Sequence, residues 1–192
     1  MKLNKISSIL GATLVSGLLF ASSPAFAKSL TVYFSRTDEN YSVGVVDEGN
    51  TARLAKIIAK KTGSEIAQIV PEKAYPKDYK AATEVASAEK EANARPALKV
   101  NPDVSGYDEI YLGTPVWWGD MPMAVYTFLE SHDFKGKTIH PFVTHEGSGL
   151  SAIDRKIAEA TGANVGEALV MRGTIAQKAD SQTESHVDEW LK

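Results

Sequence analysis

The chain has 192 residues, 21 basic against 24 acidic side chains, a formal net charge of −3 and no cysteine. That composition excludes disulfides, thiolate metal sites, thiol catalysis and a lipid-modified N-terminal cysteine. The mild acidity, with no basic cluster, disfavours nucleic acid or an anionic membrane as a partner.

The first segment reads as a targeting signal. Lys2 and Lys5 supply a short positive region, Ile6 to Phe20 is largely apolar, and Ala25-Phe26-Ala27 has the small-x-small pattern of a cleavage site. The apolar run is short for a bilayer span, so residues 1–27 are expected to be a secretory signal peptide, with Lys28 opening the mature chain. The expectation is export to a periplasm or the medium, with no membrane anchor after cleavage. Residues 28–192, about 165 in number, suit one domain with a full core.

In chain order, Leu30 to Phe34 predicts a first strand that ends in a polar turn at Ser35. A loop from about Arg36 to Gly49 leads to a helix opened by Gly49-Asn50-Thr51 and running to Thr62, with Leu54, Ile57 and Ile58 inward and Gly63 as C-cap. Ser64 to Val70 predicts a second strand stopped by Pro71, completing a βαβ unit. The connection from Pro71 to Pro102 holds an Ala/Glu/Lys-rich helix from about Pro76 to Arg95, expected to be a solvated surface helix with no role of its own.

Asp108 to Gly113 predicts the third strand. The run Tyr111-Leu-Gly-Thr-Pro-Val-Trp-Trp-Gly-Asp-Met-Pro-Met123 then leaves the strand, sets Trp117 beside Trp118 and restarts as a helix with Asp120 as the expected N-cap. Ala124, Val125, Phe128 and Leu129 follow at helical spacing. Thr138 to Val143 predicts the fourth strand, Ser151 to Ala160 a helix closed by Gly162, Glu167 to Arg172 the fifth strand, and Gln182 to Leu191 a terminal helix. Strands alternating with helices indicate an α/β domain around a parallel sheet.

The loops after successive parallel strands emerge at one edge of the sheet, where open α/β sheets bind ligands. Here they run from Ser35 to Thr51, Gly113 to Asp120 and Thr144 to Gly149. The first offers hydroxyls at Ser35, Thr37 and Thr51, an amide at Asn50 and a helix N-terminus, the chemistry of a phosphate cradle. Simple capping of that helix by Asn50 is the plainer alternative. Arg36 and Arg53 are candidates to assist a phosphate. The Gly-Lys-Ser/Thr ending of a nucleotide-hydrolase loop and the Gly-x-Gly-x-x-Gly of a dinucleotide site are both missing. In the second loop, Trp117 and Trp118 are expected to wall a flat aromatic ligand. In the third, His145, Glu146 and Ser148 stand too close in sequence for a hydrolase triad, and Glu146-Gly-Ser-Gly-Leu150 is not a nucleophile elbow. Its glycines are better explained as backbone donors turned toward a ligand edge, and a metal site there is weak.

Tyr33-Phe-Ser-Arg-Thr37, Gly49-Asn-Thr51, Gly113-Thr-Pro-Val-Trp-Trp-Gly119 and Thr144-His-Glu-Gly-Ser-Gly149, in this order, resemble the flavodoxin-like proteins. The branch in view is that of flavodoxins and NAD(P)H-dependent flavin oxidoreductases. The resemblance implies a three-layer sandwich with helices on both faces of a five-stranded parallel sheet in order 2-1-3-4-5, and FMN at its carboxyl edge. It places Ser35, Arg36, Thr37, Asn50 and Thr51 around the phosphate. Thr114, Pro115, Val116, Trp117, Trp118 and Gly119 would line the ring, and Thr144, His145, Glu146, Gly147, Ser148 and Gly149 its other side. One departure is the insertion of Asp38 to Glu48 between Thr37 and Gly49-Asn-Thr. The expected function is electron transfer through non-covalent FMN, with a redox protein or a small quinone-like molecule as partner. An NAD(P)H-dependent oxidoreductase, or a binding protein that has lost the cofactor, are the alternatives.

Overall fold

The computed structural model describes residues 27–192. The expected signal peptide lies outside the described residues, apart from Ala27. Among those described, no helix is long and apolar enough to cross a membrane.

Five main strands form the central sheet: β1 (Ser29–Tyr33), β4 (Glu65–Gln68), β7 (Glu109–Pro115), β8 (Thr138–His145) and β10 (Leu169–Arg172). Their spatial order is β4-β1-β7-β8-β10, every pairing is parallel, and β9 (Asn164–Val165) also pairs with β8. In chain order of the main strands this is 2-1-3-4-5, as the resemblance implied. Two ribbons lie apart from the sheet: β2 (Asp38–Asn40) with β3 (Gly44–Val46), and β5 (Val70–Pro71) with β6 (Leu98–Val100).

Strand alternation sorts the core onto two faces. Leu30, Val32, Ile110, Leu112, Ile139 and Val143 pack with Ala124, Val125, Phe128 and Leu129 of α3 (Met123–Glu130) and Ile153 and Ile157 of α4 (Ile153–Thr161). On the opposite face Tyr33, Phe142, Leu169 and Met171 meet Leu54, Ala55 and Ile58 of α1 (Asn50–Thr62), Ala176 of α5 (Gly173–Ala176) and Val187 of α6 (Ser181–Trp190). Gly113 makes this second face close: a Cβ there would fall 2.2 Å from the Phe142 ring. The helix α2 (Tyr79–Glu91) lies beside α3, capped by Asp78, whose carboxylate accepts from Ala81 N–H at 2.7 Å.

Several boundaries differ from expectation: β7 runs on to Pro115 and β8 to His145, so Thr114, Pro115, Thr144 and His145 end strands instead of opening loops. The fifth strand starts at Leu169 instead of Glu167, whose carbonyl accepts from the Trp190 indole at 2.8 Å. The second strand stops at Gln68, and Val70 turns to pair antiparallel with Val100. Asp120 does not cap α3: Pro122 holds that position. The Asp120 carboxylate accepts from Met121 N–H (2.8 Å) and the Tyr126 hydroxyl (2.9 Å), and pairs with Lys156 at 2.9 Å.

Candidate functional site

The carboxyl edge of the sheet carries a cleft with two unlike ends. At one end α1 begins at Asn50 with Gly49 as an extended N-cap that contributes no side chain and no acid in the first turn. Ser35 fills part of that gap, its Oγ accepting from Ala52 N–H at 3.1 Å. The N–H groups of Asn50 and Thr51 have no partner within the helix. They add to the positive end of the helix dipole over 13 residues. Gly49 lets the β1 loop close on the helix: a Cβ there would lie 2.2 Å from the Arg36 carbonyl and 2.3 Å from Ser35 Oγ.

Several side chains expected in the cradle are committed elsewhere. Thr51 is buried, its hydroxyl paired with that of Thr144 at 2.7 Å beneath the cleft. Arg36 donates to the carbonyls of Pro76 (2.7 Å), Lys77 (2.5 Å) and Glu39. It ties the insertion to the segment before α2, so its guanidinium serves the loop instead of an anion. Thr37 is exposed and donates to the Asp38 carboxylate at 3.1 Å. Arg53 lies 3.9 Å from Glu48. Asn50 does not cap α1: its Oδ1 accepts from Gln177 at 2.8 Å, and its amide occupies the space that a Cβ on Gly173 would take.

At the other end a cavity of about 230 Å³ is lined by Asn40, Tyr41, Asn50, Tyr79, Pro115, Val116, Trp117, Thr144, His145, Glu146 and Ser148. The insertion therefore reaches over the cleft, where Tyr41 stacks on Tyr79 with ring centroids 5.9 Å apart. The two tryptophans part company. Trp117 is half-buried and meets Phe34 and Tyr75 edge-on at 5.3 and 4.9 Å. Trp118 has φ of 53°, is 57% exposed, and donates from its indole to the Thr83 carbonyl at 3.0 Å. Gly119 follows at φ 69°, and Lys156 donates to its carbonyl at 3.1 Å. Thr114 is fully buried, with its hydroxyl on the Pro115 carbonyl.

The β8 loop corrects another expectation. The N–H groups of Gly147 and Gly149 do not face a ligand; both donate to His145 Nδ1, at 2.9 and 3.1 Å. An Nδ1 that accepts two hydrogen bonds belongs to a neutral ring with its hydrogen on Nε2. Burial, then nearby Arg172, push the His145 pKa down, against a smaller opposing pull from Glu146. The loop needs this anchor, since Ser151 and Ala152 also hold positive φ, 53° and 56°. Glu146 accepts from Thr174 N–H at 2.5 Å. Among the described residues no cluster of three or more His, Asp or Glu is arranged to hold a metal.

Sequence reasoning missed Asn40, Tyr79, Gln177 and the contribution of α2. Tyr79 was visible as an aromatic at a helix start, but only the folded insertion shows what it faces.

The sequence profile of the family described as flavodoxin matches residues 40–192. No curated protein matches the chain. Among solved structures, a candidate flavoprotein from Bacteroides uniformis is 30% identical, with TM-score 0.66 over 86% of this chain and 97% of its own. A candidate flavoprotein from Bacteroides eggerthii is 27% identical, with TM-score 0.68 over 86% and 96%. A flavoprotein of Lactobacillus acidophilus, solved in complex with FMN, is 25% identical, with TM-score 0.59 over 86% and 99%.

Proposed function

The chain belongs to the flavodoxin family, and from that premise we propose that it is an exported electron-transfer protein that binds FMN non-covalently. The observation that carries the reading is the pairing, in one cleft, of an open helix N-terminus at Asn50 with an aromatic-walled cavity at Trp117. These two ends suit a phosphate and a flat ring respectively. The FMN complex of the Lactobacillus acidophilus relative supports the same cofactor here.

FMN, when bound, supplies the redox chemistry. The chain supplies the rest. The N–H groups of Asn50 and Thr51 would hold the phosphate. Ser35 braces that turn through Ala52, and Thr51 and Thr144 lock α1 to β8 below it. Tyr41, Tyr79 and Trp117 would keep water from the ring, with His145 on the same wall.

Export rests on the Lys2/Lys5, Ile6–Phe20 and Ala25–Ala27 pattern, and mass spectrometry of the secreted chain should find Lys28 at its start. The partner we propose is a redox protein or a small quinone-like acceptor. Titrating purified protein with FMN should quench flavin fluorescence stoichiometrically, and a redox titration should then resolve one- from two-electron steps. A protein that ignores FMN at micromolar concentration overturns the reading. Steady turnover with NADPH and a quinone would replace the carrier role with an oxidoreductase.

A further inference from the structure

Beside the cleft lies a second cavity of about 340 Å³, lined by Trp117, Trp118, Val116, Tyr79 and a bare face of α2. We propose that it binds an uncharged, planar aromatic molecule of one or two fused rings, held next to the flavin.

The shape comes from unequal side chains. Ala82 and Ala86, one helical turn apart, put methyl groups on the α2 wall between Tyr79 and Thr83, and the Trp117 and Trp118 indoles complete the lining. Trp118 is not placed there as core filling. It stays more than half exposed, on a left-handed backbone that a bulky residue rarely adopts. Its indole is nevertheless pinned to Thr83, and its carbonyl accepts from Lys90. An exposed aromatic ring tied to α2 beside two alanines leaves an apolar, aromatic-lined cavity.

The polar groups on the wall decide the charge of the occupant. Arg36 is the charged side chain there, among the described residues, and it already donates to backbone carbonyls of Glu39, Pro76 and Lys77. The Asn40 amide donates to the carbonyls of Arg36, Thr37 and Asp38. With most of their N–H groups spent on these carbonyls, Arg36 and Asn40 have little left to offer an anion, and a neutral ring needs none of them. Asn40, Tyr79, Val116 and Trp117 line this cavity and the cleft alike, so a molecule here touches the same partition as the ring. Its role as a flavin partner rests on the FMN reading; its occupancy does not.

The test is equilibrium dialysis of 1,4-naphthoquinone, with its 2-sulfonate as the anionic control, against FMN-loaded and FMN-free protein. The neutral quinone should bind both forms, at least about tenfold tighter than the sulfonate, with all the flavin retained. Ala86→Leu should weaken it by about tenfold while FMN affinity holds, and Trp118→Ala should weaken it by about tenfold as well. Lack of binding, equal binding of the sulfonate, displacement of FMN, or indifference to both substitutions would each overturn the proposal. If the protein takes no FMN yet binds the quinone with the same dependence on Trp118 and Ala86, the second cavity stands and the flavin reading falls.

Discussion

At the α1 end of the cleft the groups offered to a ligand are backbone N–H groups of one helix. At the Trp117 end they are side-chain faces, Tyr41, Tyr79, Trp117 and His145, drawn from four separate segments. The first end is made by where the chain goes, and most of its nearby side chains are used to hold it there: Ser35 on Ala52, Thr51 on Thr144, Asn50 on Gln177. The second is made by what the side chains are. The backbone end should therefore tolerate changes of side-chain chemistry and fail when a Cβ intrudes. The side-chain end should do the reverse.

The largest expected effect divides the two tryptophans. Trp117→Ala removes the edge contacts to Phe34 and Tyr75 and should cost about 3 kcal/mol of stability, the low end for core aromatic truncations because the ring is only half-buried. Trp118→Ala, at an exposed position, should cost under about 1 kcal/mol. Urea unfolding of both variants checks this, and equal losses would contradict the division. Next is Gly49→Ala. Its Cβ would collide with the Arg36 carbonyl and Ser35 Oγ, and FMN binding should weaken by about 100-fold, near 2.7 kcal/mol. A titration with FMN reads it directly.

Thr144→Val comes third. It strands the buried Thr51 hydroxyl, at a cost of about 1–3 kcal/mol, and adding Thr51→Val should return part of that loss because no polar group is then left unpaired. Additive losses in the double variant would mean that the hydroxyl pair is not a unit.

The smallest effect is that of pH on His145. Its folded pKa lies below the ordinary histidine value, owing to burial and Arg172, so the unfolded chain binds the proton more readily. Stability is then fully present above the unfolded pKa, about 6.5, and falls as pH drops through the folded value. Loss of Nδ1 as acceptor for Gly147 and Gly149 is the structural event. His132, whose pKa burial also lowers, adds a background of the same sign. In FMN-free protein His145→Asn keeps an acceptor without a titration, so its melting temperature should fall less between pH 7 and 5 than that of the parent. An unchanged pH slope would remove His145 from the account.

Much of this architecture was legible in the sequence. The short apolar runs in Leu30–Phe34, Asp108–Gly113 and Thr138–Val143, and the Gly-Asn-Thr opening of α1, carry strong local signals, and these elements stand within two residues of where expected. Local signals failed where a distant group competed. Asp120 has the look of an N-cap, but Lys156 and Tyr126 claim its carboxylate. Gly147 and Gly149 look like free donors, but His145 takes both. The polar insertion after Thr37 gives no periodic pattern, so its hairpin, its stacking of Tyr41 on Tyr79 and the recruitment of α2 emerge only from the folded chain. Arg36 shows the same limit: beside a phosphate loop it reads as an anion ligand, and it is spent on carbonyls some 40 residues away.

The central claim is that one cleft reads a phosphate with α1 and a ring with its aromatic walls. The most direct test is the ratio of dissociation constants for riboflavin and FMN, measured by fluorescence quenching on the same protein. Both should bind, FMN tighter by about 100-fold or more, since two or more charge-assisted hydrogen bonds at the helix N-terminus are made only with the phosphate. Equal affinities would show that the Asn50 end takes no part in recognition and contradict the account.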